Sequence, residues 1–283
     1  MCRIVAYLGE PEMTLSSLVL EPEHSLLVQS YAPKEMMSGV VNADGFGVGW
    51  YVDDEVDDGE PAVYRSNGPL WADRSFAGIA PKIRSRSVFA AVRSATPGLP
   101  VEESGVPPFS SGPFTFMHNG AIEDFRQKAM RPLRDLLSDV SYSGLLGVTD
   151  SETIFALMLD RLREKGGAGA VPLAEAAEET IRCVAAVCAG LGVKAALNLA
   201  VTDGEAMVFT RHSLEGPSNS LYVIEDGRSF PGAVVVASER LDGDPGWTEV
   251  SDRHLLAVDR KVGASLRPLE NPGGPEGQKK AMG

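Results

Sequence analysis

An α+β fold built on antiparallel sheets is what this 283-residue sequence predicts. Two observations carry the prediction. Strand-like runs gather at both ends of the chain, and the clearest helical periodicity lies between them, over residues 151–191. Elements that come in blocks favour layered α+β packing over alternating βαβ units with their parallel sheet.

Each element has its own reason. Residues 3–8 form a short apolar run of buried-strand type. Residues 46–52 and 61–65 are strand-like runs on either side of an acidic stretch, Asp53 to Glu60, and are expected to pair as a hairpin. Residues 74–86 look helical, and 87–93 read as a second buried strand. A loop carrying five prolines is expected over 96–113. A strand over 114–118 should then reach a turn at Asn119-Gly120, and 121–137 should be broadly helical with a bend at Pro132. In 151–164, Ile154, Phe155, Met158 and Leu162 recur at helical spacing; Leu173, Ala177, Ile181, Val184, Cys188 and Leu191 do so in 172–191. Strands follow at 195–202, 205–211, 220–224, 233–238 and 254–259. With no internal repeat and no linker, residues 2–265 are expected to form one domain. Residues 266–283, rich in Pro and Gly and then basic, are expected to be a disordered tail.

Composition narrows the function. Asp and Glu number 39 against 26 Lys and Arg, a net charge of −13, and such a surface repels nucleic-acid backbones. Only five apolar residues follow Arg3 before Gly9, too few for a signal peptide, and no run approaches the length of a membrane span. Three cysteines do not form a disulfide framework. These features predict a soluble cytoplasmic protein that meets neither nucleic acid nor membrane; its oligomeric state is not legible.

Most routes to catalysis lack their residues. Cys183, Cys188 and the four histidines show no zinc-ligand spacing, so no metal is expected; the two helical cysteines read as small core residues. The glycine-rich stretch 44–49 lacks the following helix and Lys-Ser/Thr of a phosphate cradle, and no Gly-x-Ser-x-Gly elbow occurs. Cys2 stands apart. Once Met1 is removed, the Cys2 thiol and a free α-amine share one residue, and an α-amine with a pKa of about 8 can serve as the base for the thiol. Position alone leaves a second reading equally open, a buried cysteine at the start of the first strand.

Five pieces occur in a telling order: Met1-Cys2-Arg3, residues 42–50 (NADGFGVGW), residues 91–96 (AVRSAT), His118-Asn119-Gly120, and Thr149-Asp150-Ser151-Glu152. The series resembles class II glutamine amidotransferase domains, members of the N-terminal nucleophile hydrolase superfamily, over about residues 2–260. The resemblance implies a four-layer αββα sandwich with Cys2 opening a core strand. It implies that Cys2 attacks a γ-glutamyl carbonyl to give a thioester. It implies that Asn119 and Gly120 donate to the oxyanion, that Arg93 grips the α-carboxylate, with Thr96 also at the substrate, and that Asp150 binds the α-ammonium. The residue types suit these tasks: two aimed donors for an oxyanion, and a planar guanidinium for a carboxylate. Simpler readings exist as well. Asn-Gly is a hairpin-turn pair, Arg93 could sit in a surface salt bridge, and Thr149 to Glu152 fits a helix capping box.

The family-like region takes up nearly all of these 283 residues, so a second, ammonia-consuming domain is not expected among them. Among family members, the chain resembles the stand-alone γ-glutamyl hydrolases of ergothioneine biosynthesis. That resemblance rests on residues 42–51, 92–98 and 236–242, with Pro245 and Trp247. It implies hydrolysis of γ-glutamyl hercynylcysteine sulfoxide, a small-molecule substrate, with no cofactor. Two alternatives stay open: a glutaminase subunit supplying ammonia to a separate synthetase, and a non-catalytic binding protein on the same fold. Ile4, where many such members carry His, and residues 212–219, which look like an insertion, depart from the pattern.

Overall fold

The computed structural model describes residues 2–36, 39, 41–52, 59–95, 101–261 and 263–270. Its frame is two antiparallel sheets. One contains β1 (Arg3–Thr14), β2 (Phe46–Trp50), β3 (Ala62–Ser66) and β4 (Arg84–Val92). The other takes β5 (Phe109–Ser111), β6 (Phe114–Ile122), β7 (Ala195–Thr202), β8 (Ala206–Arg211) and β9 (Ser213–Leu214). The chain then returns to the first sheet with β10 (Tyr222–Gly227), β11 (Phe230–Ala237) and β12 (Thr248–Glu249), and closes the second with β13 (His254–Asp259) and β14 (Gly263–Pro268). The first sheet runs β12-β10-β11-β1-β4-β2-β3; the second runs β14-β13-β8-β7-β6-β5, with β9 beside β7.

Period-2 alternation makes the layers. In β1, Ile4, Ala6 and Leu8 point between the sheets, where they meet Phe89 and Ala91 of β4, Met117 of β6 and Phe209 of β8. Val5 and Tyr7 point the other way, onto α1 (Leu15–Val19), α2 (Leu26–Tyr31) and α3 (Arg74–Ile79). Phe116 and Val201 face outward from the second sheet. They pack under a helical layer that includes α4 (Met130–Arg134), α6 (Asp150–Glu164) and α7 (Ala170–Leu191), with α5 (Asp139–Ser143) against α6. The expected αββα order is therefore realised, with helices on both outer faces.

Several local expectations need correction. Asn119 and Gly120 do not turn the chain: they lie inside β6, opposite Asn198 and Leu197 of β7. The expected helix over 74–86 ends at Ile79, next to Pro81, and β4 begins at Arg84. The expected helix over 121–137 starts late, as a single π turn at Phe125–Ala129 that leads into α4 beside Pro132. The proline-rich loop contains β5. The tail boundary at 266 is also too early. Residues 266–268 complete β14, Leu269 is buried, and Arg267 forms a two-point ion pair with Glu178 at 2.5 and 3.0 Å. Residues 271–283 lie outside the described part of the chain.

Candidate active site

Cys2, half-buried, immediately precedes β1. It opens onto a pocket shared with Arg93, Ser94, Gly105, His118, Gly120, Thr149, Asp150 and Ser151. Four of the six residues singled out from the sequence thus line one cavity: Cys2, Arg93, Gly120 and Asp150. Asn119 lies beneath it, fully buried. Thr96 falls outside the described residues.

The floor is tied together by Ser238, just after β11. Its Oγ accepts the Ile4 N–H at 3.0 Å and the Asn119 Nδ2 at 3.2 Å, and its own N–H donates to Ile4 O at 2.9 Å. One hydroxyl therefore pins the strand that carries Cys2 to the side chain of Asn119, although the two belong to different sheets.

Strand geometry gives Gly120 its direction. The Ile122 N–H leaves β6 on the edge away from β7 and donates to Asp150 Oδ2 at 2.9 Å. N–H groups two residues apart leave the same edge, so the Gly120 N–H points the same way as that of Ile122. β5 covers this edge only as far as Phe116, which leaves Gly120 beyond its end. A side chain at 120 is not allowed: a Cβ there would strike the Ala196 carbonyl and the His118 ring. His118 itself bridges two elements, with Nε2 2.8 Å from Ala196 O and Nδ1 3.0 Å from Ser151 Oγ. A carbonyl can only accept, so Nε2 carries a proton. The sequence places His118 in the His118-Asn119-Gly120 piece but assigns it no role at the site. The signal for its place in the pocket was its i, i+2 relation to Gly120, which puts both on one face of a strand.

Arg93 directly follows β4 and is buried. The glycine-rich stretch explains its placement. Gly45 O accepts the Arg93 N–H at 2.8 Å, the Asp44 N–H donates to Arg93 O at 3.0 Å, and Asp44 Oδ2 accepts the Ala95 N–H at 2.8 Å. Gly45 takes a φ of +118°, which only glycine adopts freely. The guanidinium packs closely on Gly105, where an added Cβ would sit 3.0 Å from Nη2.

Asp150 is the first residue of α6. Thr149 caps the helix by accepting the Glu152 N–H at 3.1 Å. Only half of the expected capping box forms, because Glu152 turns away from Thr149 and takes the N–H groups of Leu146 and Gly147 at 2.6 and 2.9 Å. The helix start aims Asp150 at the pocket, where Oδ1 accepts the Ser151 N–H at 2.8 Å. A carboxylate offers about four acceptor positions, so capacity remains for a cation.

Behind Cys2 lies a second charged group. Arg3 is fully buried, 3.7 Å from Glu239, which also contacts His24 Nε2 at 2.6 Å. Glu239 accepts the N–H groups of Lys34 and Glu35 at 2.8 and 3.1 Å. Burial pushes the Glu239 carboxyl up, but His24, the two N–H donors and Arg3 outweigh it and hold the group below its ordinary range. Four large aromatic residues differ in burial. Tyr51 and Trp247 are core, Trp50 packs against the core, and Trp71 is exposed beside Tyr31 at 6.0 Å. Among the described residues no cluster of three His, Cys, Asp or Glu could hold a metal ion, and no helix is long and apolar enough to cross a membrane.

The family model for class II glutamine amidotransferases fits residues 18–231. The gamma-glutamyl-hercynylcysteine sulfoxide hydrolase of Mycolicibacterium smegmatis is 39% identical over 269 residues, 95% of this chain and 100% of the relative. The protein of the same name from Mycobacterium tuberculosis is 38% identical over 275 residues, 97% of this chain and 100% of the relative. The solved structure of a class-II glutamine aminotransferase domain protein from Silicibacter pomeroyi superposes with a TM-score of 0.66 at 22% identity, over 95% of this chain and 99% of that one, which speaks to the fold. The family match and the two relatives show that the chain belongs to the class II glutamine amidotransferases.

Proposed function

We propose that the protein hydrolyses a γ-glutamyl amide through a thioester on Cys2, and that its substrate is γ-glutamyl hercynylcysteine sulfoxide. The observation that carries the reaction is the single pocket holding Cys2, Arg93, Gly120 and Asp150. The substrate is supported by the two mycobacterial relatives, which are matched along their whole length.

In this reading Met1 is removed and the free α-amine of Cys2 takes the thiol proton. Sγ attacks the γ-carbonyl, and the Gly120 N–H and Asn119 Nδ2 donate to the oxygen as it gains charge. The amine gives its proton to the departing nitrogen, the C–N bond breaks, and a γ-glutamyl thioester remains. Water then attacks the thioester, the amine again acting as base, and glutamate leaves. Arg93 and Asp150 hold the α-carboxylate and α-ammonium, so they read only the glutamyl end. Discrimination must come from the leaving group, whose binding energy is best realised in the transition state.

The test compares kcat/KM on glutamine, γ-glutamylcysteine and γ-glutamyl hercynylcysteine sulfoxide. The sulfoxide is expected to be cut fastest. Glutamine as the best of the three would overturn the substrate and leave a glutaminase that feeds ammonia to a separate synthetase.

A further inference from the structure

Resting on the oxyanion role proposed for Asn119, we propose that Asn219 is a positioning residue that sets which end of the Asn119 amide faces the reacting carbonyl. An asparagine serves an oxyanion only with its NH2 turned toward it; a flipped amide presents an oxygen and repels the charge. Something must therefore tell the two ends of Asn119 apart. Ser238 cannot do so alone, because a hydroxyl accepts from Nδ2 or donates to Oδ1 with equal ease.

Asn219 can. Its Nδ2 lies 2.9 Å from the backbone O of Asn119 and 3.3 Å from the side-chain Oδ1 of the same residue. A backbone carbonyl only accepts, so the Asn219 amide must present NH2 there; turning it over would set oxygen against oxygen. With that donor fixed, the neighbouring atom of Asn119 must be its oxygen. The Asn119 NH2 then points the other way, one hydrogen on Ser238 Oγ and the second left for substrate.

Asn198, opposite Asn119 in the ladder, holds the arrangement in place by donating to Asn219 O at 2.8 Å. All three asparagines are buried, and Oδ1 of both Asn198 and Asn219 has no hydrogen-bond partner among the described residues. A polar group kept inside at that cost is doing something other than packing. Asn219 is also the last of residues 212–219, which look like an insertion in the sequence and here bring the donor to the site.

A double-mutant cycle tests this. Turnover, KM and glutamate affinity are measured for Asn119→Ala, Asn219→Leu and the double variant. Asn219→Ala replaces the Leu variant if the larger side chain prevents folding. Asn219→Leu is expected to lower kcat by about tenfold or more with KM and glutamate affinity little changed, and to cost nothing further once Asn119 is alanine. An unchanged kcat, or an equal loss in both backgrounds, would overturn the proposal for Asn219 alone. If Asn119→Ala itself leaves kcat intact, the oxyanion reading fails instead.

Discussion

Asp150 Oδ2 accepts the backbone N–H of Ile122 at 2.9 Å, so the first residue of α6 is locked to the strand that carries Asn119 and Gly120. The acid proposed to bind the substrate's ammonium and the donors proposed for the oxyanion thus move as one body. Replacing Asp150 by Ala leaves the Ile122 N–H without its partner and should cost ~1–3 kcal/mol of stability along with activity. Asp150→Asn keeps an acceptor and removes the charge. It should hold its Tm within a few degrees while KM for γ-glutamyl substrates rises, a contrast read by calorimetry and steady-state kinetics.

Glycine at 120 is demanded by the Ala196 carbonyl and the His118 ring, not by a turn. Gly120→Ala should therefore lower stability by at least ~1–3 kcal/mol and remove turnover. Gly190, in α7 with nothing within 4 Å of an added Cβ, provides the control. Gly190→Ala should raise stability by ~0.5–1 kcal/mol and leave kcat alone. Thermal unfolding of the two variants separates a packing demand from a general dislike of substitution.

Acid should reach the buried pair behind Cys2. The folded-state pKa of Glu239 lies below its ordinary value of 4.5, so its contribution is fully present above that value and is lost as pH falls through the lowered one. Wild-type stability should fall below about pH 4.5, and Glu239→Gln should flatten that part of the curve while being less stable at pH 7, since Arg3 stays buried without its counter-charge. Denaturant midpoints between pH 3 and pH 7 check both halves.

Arg93→Lys should raise KM more than it lowers kcat, because a lysine cannot make the forked contact with a carboxylate. An equal loss in both would place Arg93 in the chemical step and not at the substrate's α-carboxylate.

Elements with a strong period were legible: the β2–β3 hairpin, α6 and α7, and strands β7, β8, β10, β11 and β13 were expected near their observed places. What failed, failed for local reasons. Asn-Gly is the commonest hairpin dipeptide, and only its pairing with Asn198 and Leu197, nearly 80 residues later, turns it into strand. β14 hid in a stretch whose exposed pattern and prolines read as a tail; what orders it is β13 and the Arg267–Glu178 pair. The candidate site residues were picked out through family resemblance, and four of them line one pocket. Their supports, Asp44 under Arg93, Ser238 between Cys2 and Asn119, and His118 beside Gly120, are contacts between distant segments that no single window contains.

The central claim is that Cys2, exposed as the first residue, carries the glutamyl group. Intact-protein mass spectrometry of enzyme quenched in acid during turnover of a γ-glutamyl amide tests it most directly. The account predicts a chain lacking Met1 that bears one glutamyl adduct, localised to Cys2 by peptide mapping and absent in Cys2→Ala. Active enzyme that retains Met1, or an adduct on any other residue, would contradict it.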